Sequence, residues 1–168
     1  MMTNGLIESC DVVQAFAPVD LSTAANTGDW VSLKNYSGCL VVFIGAVGTS
    51  GDNPTVTVSQ AQDVSGTNSK ALNFTTWYKK VGATALNAVN QFTQVVQAAA
   101  NTMTATSAAD QKIFAVDITP DLMDCDGGFD CLQASVADVG SNAQLGVCFY
   151  ILYGARHARV PQLASIVD

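Results

Sequence analysis

Charge is scarce in this sequence. Only 12% of its 168 residues are Asp, Glu, Lys or Arg, about half the fraction usual for a soluble domain, so much of the surface must be small, uncharged or covered. Basic residues are the rarer sign, seven against fourteen acidic ones, which leaves a formal net charge of −7. That balance argues against a protein that grips nucleic acid by counterion release or lies on an anionic membrane. Histidine is nearly absent: His157 is the single example, so general acid and base chemistry has one imidazole to draw on. Long apolar runs are missing too. The longest, at 39–47, falls far below the roughly 18 residues that cross a bilayer as a helix and reads as a buried strand. Residues 1–8 carry neither a basic nor an apolar segment, so no signal peptide is expected. The five cysteines (Cys10, Cys39, Cys125, Cys131, Cys148) are odd in number and lack C-x-x-C spacing, unlike a disulfide framework or a zinc site. They read as reduced thiols of a protein made in the cytoplasm, with Cys39 and Cys148 packed as small hydrophobes.

What is present has a period of two. β-Branched and aromatic residues fall in short runs separated by Gly, Asn, Asp and Ser, predicting strands at 12–17, 30–33, 39–47, 55–61, 71–79, 92–97, 112–118, 131–137 and 145–153. Nine short strands in a chain of single-domain size specify an all-β fold: one antiparallel β-sandwich or barrel, a jelly roll being one such arrangement, with at most short helical turns. Thr55-Val56-Thr57-Val58-Ser59 alternates cleanly and should be half buried. The runs 39–47 and 145–153 are apolar on both faces, which predicts central strands or strands covered by a partner. Helix is expected only as a short piece near 107–111 and as one turn at Pro120, behind Thr119. An echo links 63–72 with 138–145, each with Asp, Gly and Asn in similar order between predicted strands. Both read as hairpin loops in which Gly66 and Gly140 take left-handed backbone. The β-domain should occupy 1–153, and 154–168 an extended C-terminal arm, since Pro161 withholds a donor and biases its predecessor to extended backbone.

No motif in the chain defines an activity. His157 stands between Arg156 and Arg159, which disfavour its protonated form, and no G-x-S-x-G elbow or second base accompanies it. Cys148 offers a thiol nearby in sequence and nothing more. Four aspartates crowd Asp121, Asp124, Asp126 and Asp130, and Asp124-x-Asp126-x-Gly128 begins like a calcium loop. The match then fails, with Phe129 where the loop needs Gly and Ser135 where it needs Glu, so an acidic turn is expected and no metal. Gly45, Gly48 and Gly51 are not spaced as a phosphate loop. Trp30, Tyr36, Trp77 and Tyr78 read as sheet residues, with base or sugar stacking as the alternative. No catalytic residue and no cofactor is expected.

Four stretches together are similar to a known class: Thr-Gly-Asp-Trp-Val-Ser-Leu-Lys-Asn-Tyr at 27–36, Lys-Ala-Leu-Asn-Phe-Thr at 70–75, Gly-Phe-Asp-Cys-Leu at 128–132 and Asp-Val-Gly-Ser-Asn-Ala-Gln-Leu-Gly at 138–146. They resemble small structural proteins of tailed-bacteriophage virions, most of all the capsid decoration or cement class. The resemblance implies a non-catalytic assembly role, a β-rich fold, and a homo-oligomer or multicopy packing against the major capsid protein or neighbouring virion subunits. Acidity fits an outer capsid position, away from packaged DNA. A head-to-tail connector or tail component, and a carbohydrate-binding or adhesive sandwich, are the alternatives. The arm carries the chain's two arginines and ends apolar, so Arg156, Arg159, Leu163, Ile166 and Val167 are the predicted partner-binding residues.

Overall fold

The structure is a computed structural model that describes residues 9–82, 91–104, 110–156 and 166–167. Among these residues lie twelve strands: β1 (Cys10–Asp20), β2 (Asn26–Thr27), β3 (Val31–Ser32), β4 (Gly38–Gly45), β5 (Thr55–Ala61), β6 (Lys70–Ala71), β7 (Phe74–Gly82), β8 (Thr93–Ala100), β9 (Thr102–Thr104), β10 (Gln111–Ile118), β11 (Cys131–Val136) and β12 (Leu145–Tyr153). The first sheet runs β1-β12-β4-β10-β7-β8; the second runs β2-β11-β5-β6, with β3 also on β11 and β9 on β5. Every ladder is antiparallel, and among the described residues none joins the sheets. The fold is therefore an all-β sandwich and not a barrel.

Period-two patterning builds the core between the layers. The first sheet contributes Val41, Phe43, Phe114, Val116, Cys148, Tyr150 and Leu152, and the second Val56, Val58, Leu132, Ala134 and Val136. Trp77 packs edge-on against Phe114 with ring centroids 5.1 Å apart. Thr55, Thr57 and Ser59 on the other face of β5 are half buried, as the alternation predicts. The two doubly apolar runs become neighbouring strands, β12 and β4, inside the first sheet.

Three expectations need correction. The run 71–79 is not one strand: after β6 in the second sheet the chain turns at fully buried Leu72, whose N–H donates to the Val58 carbonyl, and enters the first sheet as β7. Apolar content alone does not show that a strand changes layer. The helix expected near 107–111 is contradicted in its described part, where Asp110 is a bend and Gln111 opens β10; residues 107–109 lie outside the described set. The echo at 63–72 and 138–145 joins unlike elements. The first loop connects β5 and β6 of one sheet, whereas the second crosses from β11 to β12, between sheets.

The turn chemistry holds nonetheless. Asp63 accepts from the Ser65 and Thr67 amides at 2.9 and 3.1 Å, and Gly66, Asn68 and Gly140 have φ of 79°, 55° and 60°. A Cβ on Gly66 would stand 2.8 Å from Trp30 Nε1, and one on Gly140 would collide with the Asp52 carboxylate. Valine at either glycine is expected to cost about 1–3 kcal/mol in denaturant unfolding. A loss below about 0.5 kcal/mol would show that the loops relax freely. The turn at Pro120 is a 3-10 helix over Pro120–Leu122, although Thr119 makes no side-chain cap bond.

Candidate docking surfaces

The described residues at the two ends of the segment 154–168 are tied to the sandwich. Arg156 N–H donates to the Asn35 carbonyl at 2.9 Å, and its Nε donates to the Tyr36 carbonyl at 3.0 Å. Arg156 then lines a cleft of about 240 Å³ with Leu33, Lys34, Pro120, Met123, Cys125 and Asp130. At the far end, Ser32 N–H donates to the Ile166 carbonyl, and Val167 bridges Val31 in antiparallel fashion. Ile166 and Val167 are each 40% exposed. The structure thus brings Arg156 beside Lys34 and lays Ile166 and Val167 along β3; Arg159, Leu163 and His157 lie outside the described residues.

Within the acidic stretch, Asp124 is spent on local structure. Asp124 caps a 3-10 turn over Cys125–Gly127, its Oδ1 accepting from Gly127 N–H at 3.0 Å while Oδ2 pairs with Lys70. The lysine and the amide together hold the Asp124 carboxyl below its usual range. Lys70 Nζ also sits 3.9 Å over the Phe129 ring. Among the described residues no three His, Cys, Asp or Glu side chains converge as a metal site would require.

Cys148 is fully buried, and burial pushes its thiol up to about 12, which keeps it protonated and poor as a nucleophile. Trp30 and Trp77 are 7% and 4% exposed, so neither offers a flat platform to a sugar or base.

The outer face of the first sheet is unusual. Register places Val12, Ile151 and Leu40 in one row, Phe149, Val42, Ala115 and Tyr78 in the next, and Val147, Ile44 and Ile113 in a third. All lie opposite the core-facing set in the pleat. Val12 is 54% exposed, Tyr78 40% and Ile44 39%, while Val42 and Ala115 are buried yet outside the core cluster. The face carries Lys80 and Asp117 at its corners, and Asp117 accepts from the Tyr153 hydroxyl at 2.5 Å. The doubly apolar runs in the sequence signal this face; the contributions of Val12, Tyr78 and Ile113 come from strands whose register the sequence does not reveal.

Comparison of the chain with protein-family models, with curated proteins and with solved structures finds no match.

Proposed function

We propose that this chain is a non-catalytic structural protein of a tailed-bacteriophage virion, of the decoration or cement kind, which binds and reinforces the assembled capsid from outside. The observation that supports this reading is the three-row apolar face on the outside of the first sheet. Val12, Tyr78 and Ile44 are more than a third exposed on this face, one in each row, and apolar surface grouped in this way favours a surface meant to be covered. The sequence resemblance supplies the setting, and a charge of −7 favours the outer shell over contact with packaged DNA. The major capsid protein or a neighbouring virion subunit is the proposed partner.

The test replaces Val12 and Ile44 together with lysine. Both side chains are more than a third exposed, so stability of the free protein should change by no more than about 0.5 kcal/mol per site. Copy number on purified particles, measured by quantitative mass spectrometry, is expected to fall severalfold. Full occupancy by the double variant, or absence of the wild-type chain from purified particles, would overturn the proposal.

A further inference from the structure

We propose that β8 is a homotypic docking edge, pairing antiparallel with β8 of a second copy of this chain across a two-fold axis, so that two first sheets become one continuous sheet.

The reason lies in how the other edges are treated. A sheet edge offers unpaired N–H and C=O groups, and native proteins blunt it with charge, proline, bulges or shortness unless it is used. At one edge of the first sheet, β1 has register shifts at Gln14/Phe16 and Phe16/Val19, and it carries Pro18, Asp11 and Asp20. The outlying strands of the second sheet, β2, β3, β6 and β9, are two or three residues long. β8 is long, eight residues of Thr, Gln, Val and Ala with neither charge nor proline. Its single register shift falls after Val96, so residues 93–96 pair regularly with β7. No charged residue stands between Lys80 and Asp110. Val96 is 74% exposed, and Gln94, Ala98 and Ala99 are exposed as well.

The edge is also held ready. Trp77 Nε1 donates to Gln97 Oε1 at 2.8 Å, and Gln97 Nε2 donates to the Thr102 carbonyl at 3.1 Å, which locks β8 against β7 and the chain that follows. A strand fixed in extended form before binding loses little further entropy when a partner strand is added.

Several features favour a second copy as the occupant. A two-fold contact sets the same surface against itself, so like charges must be absent from it, and β8 has none. The nearest cations, Lys79 and Lys80, lie on β7 beside Thr93, at the start of β8. Antiparallel pairing carries the partner's lysines to the opposite end of the joint. Thr76 pairs with Val96 and Tyr78 with Gln94, which puts Val96 on the apolar outer face. The two-fold then sets Val96 near its symmetry mate and continues that face from one copy to the other. This pairing does not depend on the virion reading, because it concerns the free protein.

The experiment is analytical ultracentrifugation of the full chain over a concentration series, without capsids, beside Val96→Lys. The wild type is expected to dimerise, and the lysine variant to dissociate at least about tenfold more readily, because like charges meet across the axis. Backbone amides of β8 should gain hydrogen-exchange protection as wild-type concentration rises, and those of β1 should not. If Val96→Lys lowers the yield of folded protein, Gln94→Lys replaces it at a second exposed outer-face position, opposite Tyr78. A wild type that stays monomeric throughout, or a dimer that both lysine variants leave unchanged, would overturn the proposal. Strand addition by a different protein to monomeric wild type would overturn it equally.

Discussion

Tyr150→Phe is expected to destabilise the protein by about 2–3 kcal/mol through the loss of a single oxygen. Tyr150 is fully buried on β12, and its hydroxyl accepts from Ala134 N–H at 2.8 Å and donates to the Asp29 carbonyl at 3.0 Å. Ala134 belongs to β11 in the other sheet, so this oxygen ties the two layers together. The need for it comes from β11's partners. On one flank β11 pairs continuously with β5; on the other it meets β2 only at Ser135 and Val136 and β3 only at Cys131 and Leu132. Between these, Gly28 N–H donates to the Ala134 carbonyl and Gln133 Nε2 to the Gly28 carbonyl, but the Ala134 amide is satisfied by Tyr150. Phenylalanine fills the same space and strands a buried N–H, whose desolvation is then uncompensated. Equilibrium denaturation should show the loss at unchanged m-value, and Ala134 should exchange its amide proton faster. A change below about 0.5 kcal/mol would mean that the Ala134 amide has another acceptor.

Stability is expected to hold level from pH 7 to about 9 and to fall above that, and Lys112→Met should remove the level stretch. Cys39, Cys131 and Cys148 are at most 1% exposed. Burial raises all three thiols, Cys131 and Cys148 to about 12. In the unfolded chain they ionise near 9.0. Above pH 9 the unfolded state therefore holds fewer protons than the fold, and stability declines with pH. Three such groups cost about 4 kcal/mol together by pH 10.

Lys112 works in the opposite direction. It is 2% exposed, its Nζ donates to the Ala46 carbonyl at 3.1 Å and, with the Gln144 amide turned so that its oxygen faces the ammonium, to that oxygen at 3.0 Å, and burial lowers its pKa from 10.5 to about 8. Asp110 opposes that shift only in part. Between about 8 and 10.5 the unfolded chain holds more protons at this position, so stability rises with pH by up to about 3 kcal/mol in total. The two trends nearly cancel as far as pH 9, and the thiols then prevail. Without the lysine ammonium the thiol-driven decline stands alone, and the drop between pH 8 and 10 should be about twice the wild-type drop. Urea unfolding at each pH, with thiols kept reduced, reads both curves. Parallel curves for wild type and Lys112→Met would show that Lys112 keeps an ordinary affinity for its proton in the fold.

Most of the strand positions are legible before any coordinate is seen, since burying one face imposes a period of two. The strands 55–61 and 145–153 emerge with both boundaries intact, and positive φ at Gly66 and Gly140 follows from local turn chemistry. Those features depend on near neighbours in the chain. What escaped depends on distant ones. The break at Leu72 is set by which layer has room for the next strand, and the crossing at 138–145 by where β12 must insert between β1 and β4. Among the described residues the first sheet ends at β8, and the lack of charge on that strand has no meaning until its edge position is known. Lys112 shows the same division. Its sequence neighbours, Gln111 and Ile113, say strand, but its burial depends on Gly45 beside it in the ladder, where a Cβ would stand 3.2 Å from the Lys112 stem. Composition and periodicity determined that this protein is built of layered strands; tertiary pairing alone decided which strand joins which layer and which faces and edges are left exposed, because exposure is a property of the packed assembly of strands and not of any one of them.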